Sequence, residues 1–130
     1  MKLVPTIARY ILGILFTVFG LNGFLQFIPP MPMPALAGQY FGVMMASHYM
    51  VPVFLLQLIC GLMFLANQYV PLALALIGPV IVNILLFHLL MNPSGIVPGL
   101  IATIFWFIVF NSVRPAFAGI FQQKAPAVVR

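Results

Sequence analysis

The sequence predicts an all-α membrane protein: a bundle of four transmembrane helices with a short interfacial helix between the first and the second. Three observations carry this. Of 130 residues, 65% are hydrophobic and 4% are charged, with no Asp or Glu, whereas a soluble domain is about 45–50% apolar and about 25% charged. The stretch from Tyr10 to Val113 contains no formal charge at all. Prolines and polar turn residues divide that stretch into apolar runs of the length that a hydrocarbon core of about 30 Å requires, near 20 helical residues each. The mean hydropathy of +1.24 agrees. A soluble or disordered chain is excluded, since a small domain leaves much of its surface exposed. A barrel is excluded because the runs far exceed about 10 residues and do not alternate.

The first span is expected over residues 6–28, with Pro5 suited to a helix start. Pro29-Pro30 ends it, and Met31-Pro32-Met33-Pro34 cannot continue a helix. The basic start followed by an apolar run resembles a signal sequence. Its apolar segment outlasts the usual core of about 7–15 residues, so an uncleaved first helix is expected. Residues 35–47 are too short to span and carry Gln39 and Tyr40; a helix at the interface is expected there. The second span covers residues 49–67, with Pro52 in its first turn. Asn67-Gln68-Tyr69 form a tight turn, and the third span follows over residues 70–91. Gly78-Pro79 is expected to kink it. Asn92-Pro93-Ser94-Gly95 is a strong turn signal. The fourth span covers residues 97–113, Arg114-Pro115 ends it, and residues 114–130 form a polar tail. The whole chain, 1–130, is one membrane domain.

The five cations, Lys2, Arg9, Arg114, Lys124 and Arg130, sit at the two ends of the chain. This pattern suits membrane topology and not nucleic-acid binding. Basic flanks favour the cytoplasmic side, so both termini are expected there, in a bacterial inner membrane. The lone Cys60 allows no intrachain disulfide and no dithiol chemistry.

Chemistry inside the spans falls to uncharged polar residues. With the helices alternating in direction, Asn22, Gln26, His48, His88 and Asn92 fall in the outer half. Gln57 and Asn83 lie near mid-membrane, Gln57 about 13 Å below His48. Unpaired amides in hydrocarbon are costly, so these groups are expected to turn toward protein. They act either as interhelical glue or as a pocket for the head group of a small amphiphile such as a quinone or lipid. The candidate ligand-binding residues are therefore Asn22, Gln26, Gln57, Asn83, His88 and Asn92. No catalytic constellation is present, and no covalent cofactor is expected. With no carboxylate and only two histidines, no metal site is expected either. Trp106, flanked by Phe105, Phe107 and Phe110, lies near mid-span, and its indole N–H is expected to face protein, in this chain or another.

Several segments resemble the DoxX-like family of small membrane proteins. They are Gly20-Leu21-Asn22-Gly23-Phe24, the Pro-rich loop leading to Leu36-Ala37-Gly38-Gln39, Asn67-Gln68-Tyr69-Val70-Pro71-Leu72-Ala73, and Pro79 through His88 followed by Pro93-Ser94-Gly95. The resemblance runs from about Arg9 to Phe117. It implies a four-helix bundle and an association with membrane redox systems, the family name coming from subunits linked to thiosulfate:quinone oxidoreduction. Relatives often carry an acid near the position of Gln57, which cannot ionise. That departure favours an accessory subunit of a larger electron-transfer or photosynthetic complex. The alternatives are a quinone-linked oxidoreductase subunit and a homo-oligomeric transporter. A transporter would need several copies, since one such bundle has little interior.

Overall fold

The computed structural model describes residues 2–126, and among these all regular structure is helical. The order is α1 (Leu3–Leu25), α2 (Ala35–Ala46), α3 (Met50–Ala66), α4 (Val70–Leu90), a 3₁₀ turn (Pro93–Gly95), α5 (Val97–Ser112) and a second 3₁₀ segment (Arg114–Phe121). The end of the expected tail, residues 127–130 with Arg130, lies outside the described residues.

The helices α1, α3, α4 and α5 form a closed ring in which α1 packs on α3 and α5, and α4 packs on the same two. Each turns a helical stripe inward. In α1 this stripe is Ala8, Leu12, Gly13, Phe16 and Gly20, and in α3 it is Phe54, Gln57, Cys60, Gly61 and Phe64. Phe16, Phe64, Leu12, Leu74, Ile77 and Val109 are fully buried and fill the bundle axis. The opposite faces are apolar and exposed along their length, as at Ile14, Leu55, Leu62, Val82, Leu86 and Ile104. An outer surface of this kind suits lipid better than water.

The tightest seam joins α1 to α3. The facing positions are Gly13 with Leu65, Thr17 with Gly61, Gly20 with Leu58 and Gly23 with Phe54. One series ascends while the other descends, so the helices are antiparallel. A methyl group on Gly20 would lie 2.7 Å from the Leu58 backbone nitrogen, and one on Gly61 would lie 2.5 Å from the Thr17 nitrogen. The two backbones meet only because side chains are missing, the way small residues bring membrane helices together.

By length and apolarity, α1 and α4 can each cross a membrane alone. The segments α2 with α3, and α5 with the second 3₁₀ segment, qualify as bent pairs, each turning through 86°. The fold therefore offers two to four spans. At 17 and 16 residues, α3 and α5 sit at the short end of spanning length. The 86° bend at Ser47–Tyr49 turns α2 across the axis of α3, and His48 takes a left-handed backbone (φ 61°) at the corner.

Two expectations need correction. The first helix begins and ends about three residues earlier than 6–28. Pro5 is accommodated in its first turn, where the missing N–H has no helical partner to lose. Gln26, predicted inside the helix, closes it instead. Gln26 adopts a left-handed φ of 51° and donates its N–H to the Asn22 carbonyl over 2.8 Å. The segment after Arg114 is also not simply a polar tail. Residues Arg114–Phe121 wind into a 3₁₀ segment whose Phe117 is buried against Phe110, ring centroids 4.9 Å apart.

Candidate functional site

The predicted polar residues do not converge on one chamber. Asn22 and Gln26 lie at the end of α1, where the Asn22 Oδ1 accepts the Ile28 N–H over 2.7 Å and folds the chain into the proline-rich loop. Asn83 is exposed on α4, and its Nδ2 donates to the Pro79 carbonyl one turn back, over 3.0 Å. Gln57 is buried in α3 at 6% exposure and belongs to the inward stripe. His48 is exposed at the α2–α3 corner.

Two of the candidates do meet. The His88 ring and the Asn92 amide both close around Gly95, where an added methyl group would lie 3.1 Å from His88 Nε2 and 3.4 Å from Asn92 Nδ2. Gly95 thus lets the 3₁₀ turn fold flat against the end of α4. Phe87 stands edge-on to His88 at 5.0 Å, and Tyr40 of α2 packs on Phe87 at 5.5 Å. A small polar and aromatic corner results, built from α2, α4 and the turn.

The hydrogen bonding of this corner sets its chemistry. His88 Nδ1 lies 2.8 Å from the Ile84 carbonyl. A carbonyl only accepts, so Nδ1 carries the proton and Nε2 of the neutral ring is an acceptor. Asn92 Oδ1 accepts from the Ser94 hydroxyl over 3.2 Å, leaving its amide N–H groups as donors. The corner therefore presents one ring acceptor and one amide donor side by side. Among the described residues, no cluster of His and Cys could hold a metal ion.

Trp106 finds its partner within the chain. Its Nε1 donates to the Leu74 carbonyl of α4 over 3.0 Å, and its ring stacks on Phe110 at 5.1 Å and 8°. Gly78 makes room for the indole, with the nearest ring atom 3.8 Å from where a Cβ would stand.

Two residues escaped the sequence reading. Thr17 Oγ1 is a buried hydroxyl with no hydrogen-bond partner, set against Gly61 at the α1–α3 seam. Arg9 reaches across from α1 to the C-terminal end of α3. Its Nη1 donates to the Phe64 carbonyl and approaches that of Leu65 at 3.5 Å, and its guanidinium lies 4.5 Å from the Tyr10 ring centroid. A cation on the last carbonyls of a helix satisfies acceptors that have no partner within the helix and opposes the negative end of its dipole. The sequence marks Arg9 as the last charge before a long uncharged stretch, but it carries no signal for the partners at residues 64 and 65.

No family model, curated protein or solved structure matches this chain.

Proposed function

We propose that the protein is a small four-span integral membrane subunit that serves as an accessory, structural component of a larger membrane complex. The observation carrying this reading is how the polar groups and the axis are arranged. Large apolar side chains fill the axis. Asn22, Asn83 and His88 spend hydrogen bonds on nearby backbone of their own chain segment. Such a bundle presents long apolar faces outward, where the surface of a larger partner can replace lipid at little cost.

The four-span reading draws support from the ring of antiparallel helices. Lys2, Arg9 and Arg114 gather at the end of that ring that also holds the α3–α4 turn. By the positive-inside tendency this end faces the cytoplasm, and α2 lies along the outer interface of a bacterial inner membrane. The resemblance to DoxX-like proteins motivates an electron-transfer partner.

A quinone-linked role is the second reading, favoured by the corner at His88. Because Nδ1–H is committed to Ile84, neutral Nε2 would accept from a hydroquinone hydroxyl, while the Asn92 amide would donate to a quinone carbonyl.

The test is native purification from the source membrane in mild detergent, followed by mass spectrometry of proteins and extracted small molecules. The accessory reading expects a fixed-stoichiometry complex with a larger membrane protein bearing flavin, haem or iron–sulfur absorption. A free bundle retaining quinone overturns it in favour of the second reading, and a free bundle with neither overturns both.

A further inference from the structure

The basic end of the bundle carries a recess that none of the foregoing assigns. It has a volume of about 240 Å³ and is lined from three directions: Lys2, Thr6 and Arg9 of the first segment, Asn67 of the α3–α4 turn, and Val109 and Ser112 of α5. A second, larger recess of about 490 Å³ adjoins it, sharing Lys2, Pro5 and Ser112 and adding Val4, Ile108 and Asn111. From the structure we infer that this recess binds the phosphodiester of an anionic phospholipid, with an acyl chain along the adjoining groove.

Charge is the first argument. The chain has no Asp or Glu, so no carboxylate side chain can neutralise Lys2 and Arg9. Two cations facing one recess beside hydrocarbon call for an anion from outside. Arg9 is held in place by its Nη1 bonds to the end of α3. Those bonds use only part of a guanidinium fork that offers five donors.

Hydrogen-bond direction is the second argument. The Thr6 hydroxyl donates to the Lys2 carbonyl at 2.7 Å and the Ser112 hydroxyl to the Val109 carbonyl at 2.6 Å. Neither hydroxyl proton is then free for a ligand. The donors of this lining are the Lys2 ammonium, the rest of the Arg9 guanidinium and the Asn67 N–H groups, set beside acceptors at Asn67 Oδ1 and the two hydroxyl oxygens. Phosphodiester oxygens only accept, so their match is to the two cations and the Asn67 N–H groups.

Depth is the third argument. Arg9 lies seven residues into the chain from Lys2, about 10 Å along the helix. The two cations therefore bracket the head-group layer, where a lipid phosphate resides, and Val4 and Ile108 of the adjoining recess offer apolar contact beside it.

The inference stands apart from the accessory reading, because the isolated chain suffices to test it. Purified protein in neutral detergent is offered phosphatidylglycerol and phosphatidylcholine in equal amounts, and bound lipid is counted by native mass spectrometry. Wild type is expected to retain phosphatidylglycerol preferentially, one molecule per chain. Lys2→Gln is expected to lower that retention about fivefold, in keeping with the worth of one basic residue at a lipid surface. Lys2 is exposed and removing its charge leaves the Arg9 bonds to α3 intact, so this variant is expected to fold. Lys124→Gln, which removes the same charge away from the recess, is expected to leave retention unchanged. Equal retention of both lipids, or an equal loss in both variants, overturns the site. Displacement of the lipid by millimolar inorganic phosphate overturns the lipid assignment in favour of a soluble phosphate ligand.

Discussion

The α1–α3 seam and the α4–α5 seam hold the same bundle together by opposite means. Along α1–α3 the backbones touch, and Gly20 and Gly61 stand where any side chain would collide. Along α4–α5 the glycines meet side chains, Gly99 those of Ile84 and Leu85, and an indole bridges the helices, Trp106 donating to the Leu74 carbonyl and stacking on Phe110. Lipid is as apolar as leucine, so burial of apolar surface does little to hold membrane helices together. What remains is close van der Waals packing or a polar bond across the seam: α1–α3 rests on the first, with Arg9 bonding the end of α3, and α4–α5 on the second. The difference teaches that a glycine in this protein has no fixed meaning. Gly61 is indispensable to contact, while Gly78 merely leaves room for the Trp106 ring.

A matched pair of substitutions breaks the comparison most sharply. Gly61→Ala forces a methyl group to 2.5 Å from Thr17 backbone and hydroxyl atoms. It is expected to destabilise the bundle by about 1–3 kcal/mol, the usual cost of overpacking a rigid contact, read from circular dichroism during SDS titration in detergent. An unchanged midpoint would mean that α1 and α3 do not meet through backbone. Trp106→Phe keeps an aromatic ring against Phe110 but deletes the bond to Leu74. It is expected to cost about 0.6–2 kcal/mol in the same assay, the range for one interhelical hydrogen bond in a membrane.

Smaller effects sharpen the contrast. Asn83→Leu removes a bond that stays within α4 and lies on an exposed face. A change below about 0.5 kcal/mol is expected, as for substitutions away from packed features. A loss above 1 kcal/mol would instead mark Asn83 as a contact to another chain. Gly78→Ala comes last. The added methyl would meet Trp106 at an ordinary 3.8 Å, and the helix gains intrinsic propensity, so the SDS midpoint is expected to hold or rise slightly.

Element positions were legible because proline and turn chemistry punctuate the chain so clearly. The predicted second, third and fourth helices end within a residue or so of α3, α4 and α5. The short helix after the proline-rich loop also stands where Pro34 and the Ser47–His48 corner place it. Rotation about each helix axis was not legible. Asn83 and His88 were given the right helix, but no count of residues says that Asn83 turns outward to bond its own Pro79 carbonyl. Partner choice was equally hidden. Asn22, Asn83 and His88 had local acceptors or donors within six residues, and a bond closed locally competes well with one that must wait for another helix. Arg9 went unread for the opposite reason: its partners are the carbonyls of residues 64 and 65, joined only by the antiparallel register of α1 and α3.

The central claim, four spans with the basic end inside, is tested most directly by cysteine labelling from one side of the membrane. Single cysteines at Ser94 and Gln68, in a chain with Cys60→Ala, would be exposed in intact spheroplasts to a membrane-impermeant maleimide. The account predicts that Ser94→Cys labels at once and that Gln68→Cys labels only after permeabilisation. Labelling of both from the same side would contradict it, because α4 would then fail to cross.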